Sequence, residues 1–179
     1  MIKTAYSVAE FIDDCTAIVA LGLDDPDTVG RIEPLLKKLI ARHECLEDLG
    51  SDPFPKAGFD IHLQQGLSVQ AIVWEPGTRT PTHNHNSWAV LGVLRGAELN
   101  TPYKRNDDGS KPWYAKLQKQ PPVVTWPGET TVMVPPHDIH SVEISYGATH
   151  AIHVYGTDIH KTWRCTFDPD SGVVRPFGQ

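Results

Sequence analysis

From position 51 onward the chain is divided into short apolar runs, SVQAIVW, WAVLGVL, TTVMVPP and HAIHVYG, each bounded by clusters of Gly, Pro, Asn and Asp. Regular short strands separated by turn residues predict a sandwich or barrel. The stretch NDDGSKP, residues 106–112, predicts an exposed hairpin tip. The first fifty residues follow another period. Val8, Phe11, Ile12 and Cys15 recur at helical spacing behind Ser7, a capping residue with Glu10 three positions on. A second helical stretch is expected over about 27–49, with Ile32, Leu35, Leu36, Leu39, Ile40 and Leu46 as its apolar stripe and Pro34 as a kink or restart. The expected architecture is therefore mainly β, a single domain over 1–179 in which a helical segment, 1–50, packs outside a barrel built from 51–179.

Charge narrows the partners. The formal net charge is -6 and no basic run occurs, which argues against the phosphate contacts that dominate nucleic-acid binding. No apolar run approaches the length of a bilayer span, and the opening MIKTAYSVAEFIDD lacks the basic, apolar and small-residue order of an export signal. A cytoplasmic protein acting on small molecules, without membrane or nucleic acid, is the expectation. Cys15, Cys45 and Cys165 are odd in number and widely spaced, which fits neither a disulfide framework nor a thiolate metal cluster.

Histidine is the informative residue. Six of the nine histidines fall between His83 and His153. His83 and His85 stand at alternate positions, so on a strand both would project from one face and could reach one ion. A second segment, VPPHDIHSVEI, offers His137 and His140 after a Pro-Pro turn. A third imidazole from another strand would complete a facial set with open positions for substrate and dioxygen.

The block running from Gly77 through His83 and His85 to Gly96 resembles the first cupin motif, and Pro135 with His140 resembles the second, where His137 replaces the usual glycine. The resemblance implies a cupin barrel, a double-stranded β-helix or jelly roll, with His83, His85 and His140 as metal ligands. Where the general pattern carries a glutamate ligand, this chain has Ala89 followed by Val90. Three neutral imidazoles leave a divalent ion its full charge, which favours an anionic ligand such as a thiolate.

That combination resembles the cysteine dioxygenase family of thiol dioxygenases, which oxidise a small thiol to a sulfinate with Fe(II) and dioxygen. The likeness runs from about Gly66 to Phe167 on four blocks: PGTRTPTHNHNSW, VLRGAE, DIHSV and IHVYG. It implies that the Tyr155 hydroxyl lies near bound dioxygen or the substrate carboxylate and that His153 holds the phenol. The family's serine two residues before this histidine is Ala151 here. The upstream stretch FDIHLQQG has no arginine, and residues 86–91 contain no cysteine, so neither the animal-type carboxylate arginine nor a cysteine–tyrosine crosslink is expected. The bacterial 3-mercaptopropionate dioxygenase type carries an arginine eleven residues after this histidine, and Arg164 stands eleven after His153. Arg164 is thus either a bidentate carboxylate clamp or a surface residue.

By the same resemblance Trp88 and His62 are candidate substrate contacts. Trp88 alone would equally suit the core. Arg79 is expected to order the loop before the metal strand or to be exposed, His150 to stand behind the ligands, and His43 and His160 to lie at the surface. Two other readings stay open: a three-histidine cupin that cleaves a carbon–carbon bond of a diketone-like chelator, and a non-catalytic cupin that binds a metal or ligand.

Overall fold

The computed structural model describes residues 6–42, 44–49 and 58–177. Helix α1 (Val8–Val19) starts at Ser7, whose hydroxyl accepts from the Glu10 amide while the Glu10 carboxylate accepts from the Ser7 amide, so two otherwise orphaned donors are satisfied reciprocally. Helix α2 (Asp25–Ile40) is capped by Asp24, which accepts from the Asp27 amide. Pro26 occupies its first turn, where no amide proton is needed.

The second helix begins earlier and ends sooner than its expected span of 27–49, and Cys45–Leu49 forms a separate 3-10 turn. The reason lies in the stripe. Continuing from Ile40 at three- or four-residue spacing would require apolar residues at 43, 44 and 47, which are His, Glu and Glu. The tighter turn brings the adjacent pair Cys45 and Leu46 into the core instead. Pro34 neither ends nor restarts the helix. It lies on the solvent side, as does Gly30, so water can satisfy the carbonyl that loses its partner.

Among the described residues, twelve strands form two antiparallel sheets. The first has the order β1-β2-β10-β4-β8, from β1 (Phe59–Gln64), β2 (Leu67–Trp74), β4 (Ala89–Arg95), β8 (Thr130–Met133) and β10 (Thr149–Tyr155). The second has the order β12-β11-β3-β9-β5-β6, with β7 (Val123–Thr125) also pairing with β5. Its members are β3 (Thr82–His83), β5 (Glu98–Arg105), β6 (Leu117–Lys119), β9 (His140–Glu143), β11 (Cys165–Phe167) and β12 (Val174–Pro176). The two curled sheets make the mainly β barrel architecture that the sequence implied, and the expected hairpin tip is an exposed loop between β5 and β6.

The strands WAVLGVL and HAIHVYG are apolar on both faces because both faces are covered. Val90 and Leu94 of β4 and Ile152 and Val154 of β10 pack under Phe11, Ile32, Leu36 and Ile40 of the helices. Their alternates Ala89, Leu91, His153 and Tyr155 face the barrel interior. Helix and strand meet most closely at Gly92, where a Cβ would come within 2.9 Å of Ile40 Cδ1 and 3.0 Å of Leu36 Cδ2. Gly96, with φ of 76°, ends β4 where an added Cβ would lie 2.5 Å from the Ala148 carbonyl, so the motif glycine is required by backbone crowding.

Cys15, Cys45 and Cys165 are free thiols, the first two buried. Among the described residues no helix is long and apolar enough to cross a membrane. Leu36 is fully buried between α2 and β4. Leu36→Ala should therefore lower the unfolding free energy by roughly 2–5 kcal/mol, read from urea denaturation curves.

Candidate metal centre

His83 and His140 are directly opposite one another across the β3–β9 pair. Register alone therefore brings the first and third histidines to one side of the barrel. His85 does not come from the strand, as its spacing suggested, because β3 stops at His83. The loop beyond is held by Asp138, a buried carboxylate whose Oδ2 accepts from the His85 amide at 3.0 Å and the Asn86 amide at 2.8 Å. Asn86 takes the left-handed conformation that asparagine tolerates, with φ of 49°. An acid thus stands two residues before the third histidine, but it grips the loop backbone.

One nitrogen from each of His83, His85 and His140 lies within 4.8 Å of the other two, and all three residues are buried. His83 Nδ1–H donates to the Pro81 carbonyl at 2.9 Å and His140 Nδ1–H to Asn100 Oδ1 at 3.0 Å, leaving Nε2 lone pairs free on both. The His85 and His140 Nε2 atoms are 3.0 Å apart. Two imidazole nitrogens held at right angles about 2.1 Å from one divalent ion would be separated by about 3.0 Å. The donor set therefore fits a metal ion, and His83, His85 and His140 are the residues that can hold it. Burial is the main cause that lowers the His83 pKa to about 4, with Arg164 and His153 adding to it against the Pro81 bond. Burial, then the neighbouring imidazoles, also drives His85 and His140 well below the ordinary range. All three imidazoles are neutral near pH 7, the form that binds metals.

The three ligands open on a cavity of about 170 Å³ whose wall includes His153, Tyr155, Arg164, Phe177, Gln70 and Thr80. This is smaller than the roughly 300–1,000 Å³ of pockets for drug-sized ligands. Tyr155 is opposite Ala89 across the β10–β4 pair, and its ring lies 5.0 Å from that of His85. The position where the general pattern has a fourth ligand is thus a small side chain facing a phenol. His153 Nδ1 is 3.1 Å from the Tyr155 hydroxyl, and its Nε2 is 3.0 Å from Oε1 of Glu98.

Arg164 is brought to the cavity rather than to the surface. Its Nε is buried without a hydrogen-bond partner, and its guanidinium carbon lies 4.9 Å from the centre of the Phe177 ring, which in turn is 5.0 Å from His83. Among the described residues it pairs with no carboxylate. Two asparagines that alternate with the ligands set its position. Asn84 Oδ1 accepts from the Cys165 amide at 2.8 Å, Asn86 Nδ2 donates to the Trp163 carbonyl at 2.6 Å, and Asn84 Nδ2 donates to Asn86 Oδ1 at 2.7 Å. In HNHN, then, two side chains reach the metal position and two tether the segment that carries Arg164.

Two expected substrate contacts are not at the cavity. Trp88 is buried, but it packs in the cluster between the first sheet and the helices, and its indole covers Gly156, where a Cβ would lie 2.1 Å from Nε1. His62 pairs across β1–β2 with Val69, a residue of that same outer cluster, and residues directly opposite share a face. It therefore points to the helix side. His137 is exposed and outside the ligand group. His150 lies on the face of β10 opposite His153, so it does not back the ligands. His160 is exposed and bonded to Asp60, Arg79 is exposed and paired with Glu143 at 3.1 Å, and His43 lies outside the described residues. Glu98, Asn100, Asp138 and Phe177 were not foreseen. A lone glutamate closing the apolar run AVLGVLRGAEL was a usable signal for the first, while nothing local marks Phe177.

No family model matches the chain. It is similar in structure to the DMSP lyase DddQ from Ruegeria pomeroyi DSS-3, with 17% identity and a TM-score of 0.46 over 64% of this chain and 52% of that one. It is also similar to an RmlC-like cupin family protein from Methanocaldococcus jannaschii, with 16% identity and a TM-score of 0.44 over 62% and 90% of the two chains. A third likeness is to an oxalate oxidase in complex with glycolate, with 20% identity and a TM-score of 0.41 over 59% and 53%. The matched part spans about half the length of the lyase and of the oxidase.

His140→Ala should lose bound metal as well as any activity, measured as metal per chain after loading and desalting. The metal-free protein should also be acid-labile. His83 binds a proton near pH 6.5 when unfolded and only near pH 4 when folded, so the unfolded state holds more protons between those values. Unfolding free energy should be full above about pH 6.5 and fall as pH drops toward 4. Urea titrations across that range check the sign.

Proposed function

We propose that the protein is an iron(II)-dependent thiol dioxygenase acting on a small thiol that carries a carboxylate, of the 3-mercaptopropionate kind. The observation that carries the reading is an unpartnered buried guanidinium nitrogen, on Arg164, sharing one small cavity with three neutral imidazoles. A half-buried cation without an acid is costly, and a substrate carboxylate would supply the missing partner through a charge-assisted bond. No carboxylate side chain lines the cavity, so a substrate ammonium would find no counter-ion there. This favours a thiol without an amino group over a zwitterionic amino acid.

Bound Fe(II) would supply the charge that favours a thiolate and the electrons that activate dioxygen. The sulfur gains both oxygen atoms, so the sulfinate forms without an external reductant. The protein's own contribution is placement. Arg164 anchors the carboxylate end, the Phe177 ring covers the guanidinium and His83, and Tyr155 adds a second polar group to the wall. Leu91, with Ile72 and Val142, keeps the rest of the cavity apolar, which limits water around the reacting atoms.

Oxygen consumption by the iron-loaded protein with 3-mercaptopropionate, cysteine, mercaptosuccinate and a β-diketone tests the proposal. Sulfinate should form from a carboxylate-bearing thiol, and Arg164→Gln should raise KM for it by roughly 10- to 100-fold while leaving a thiol without a carboxylate unaffected. Consumption of the diketone alone, or no turnover at full iron occupancy, would overturn the assignment.

A further inference from the structure

Glu98 is fully buried, and among the described residues it pairs with no lysine or arginine. Its Oε1 accepts from the Trp74 indole N–H at 3.0 Å and from His153 Nε2 at 3.0 Å. Oε2 and Asn100 Nδ2, two residues apart on one face of β5, are both buried without a hydrogen-bond partner, and Asn100 Oδ1 accepts from the ligand His140. The carboxylate therefore bonds to the phenol side of the cavity, through His153 and Tyr155, and stands two residues from the side chain that bonds the ligand His140.

We propose that Glu98 is a positioning residue that fixes His153 as the neutral Nε2–H tautomer, so that Tyr155 donates its proton to His153 Nδ1 and turns its oxygen lone pairs to the cavity. Burial alone would raise the Glu98 pKa, but His153, Trp74 and Asn100 together outweigh it and hold the group ionised. An ionised carboxylate can only accept, so the proton at His153 Nε2 is assigned by its partner. In the neutral imidazole a proton on Nε2 leaves Nδ1 with only its lone pair. Nδ1 is then an acceptor, and among the described residues the donor within reach is the Tyr155 hydroxyl at 3.1 Å. Tyr155 thus meets an occupant of the cavity as an acceptor, suited to a donor such as an S–H arriving as the free thiol.

Glu98→Leu removes the oxygen to which both His153 Nε2 and the Trp74 indole N–H donate. A proton at Nε2 then loses its acceptor, so the imidazole proton moves to Nδ1, makes Tyr155 the acceptor of that bond, and turns the phenol proton into the cavity.

The direct test is long-range 15N–1H correlation on the zinc-loaded, 15N-labelled full chain, with His153 assigned by comparison with His153→Gln. Wild type should show the Nε2–H tautomer and Glu98→Leu the Nδ1–H tautomer; an Nδ1–H or doubly protonated His153 in wild type overturns the proposal without reference to any activity. The kinetic arm rests on the thiol oxidation proposed above. Glu98→Leu should reduce turnover about 10- to 100-fold with metal content unchanged, and should cause no further loss in a Tyr155→Phe background. Equal losses in both backgrounds, or depletion of metal, would show that Glu98 acts only as structure.

Discussion

Strands β4 and β10 must be dry on both faces, and most of the molecule follows from that. Their outward residues would be an exposed apolar surface without the two helices, and their inward residues carry the polar chemistry of the cavity. The helices therefore complete the barrel wall. By covering Val90, Leu94, Ile152 and Val154 they remove water from one side of the same backbone that holds His153 and Tyr155 on the other. Burying an imidazole and a phenol on the inner face is tolerable only because each finds a partner, which is why the chain of bonds from Tyr155 through His153 ends in a charged group.

Charge is organised by distance from the ligands. The site contributes three neutral nitrogens, so a divalent ion there keeps its charge and the nearest guanidinium adds to it. Acids are present, but each is engaged before it reaches the centre: Asp138 by two backbone amides, Glu98 by Trp74 and His153. An entering anion meets an excess of positive charge with no competing carboxylate on the wall.

The fold was legible because its signals are periodic. Short apolar runs with turn residues between them, and helical spacing behind a capping serine, are local properties that the tertiary structure preserved. Helix α2 was misjudged at its end because Leu46 fits an apolar stripe when counted loosely, although the polar residues at 43, 44 and 47 interrupt it. Within the site, the histidines and Tyr155 lie on recognisable spacings. Trp88 and His62 show the limit of spacing. An aromatic or imidazole near a motif is assigned to one face or the other by strand register, and register is set by pairing with segments remote in sequence. Glu98, Asp138 and Phe177 share that difficulty, since what makes each matter is a partner 53 to 94 positions away, as from Asp138 to His85 or from Phe177 to His83.

The alternation in HNHN has a mechanical consequence. His83 and His85 fix where a metal can sit, while Asn84 and Asn86 hold the backbone at 163–165 by bonds to main-chain groups. The ligand imidazoles and the segment that carries the guanidinium are therefore mounted on the same four residues, so the placement of one is tied to the placement of the other. Such a mounting works as a gauge: an occupant that touched both groups would be sorted by its length before its chemistry is tried.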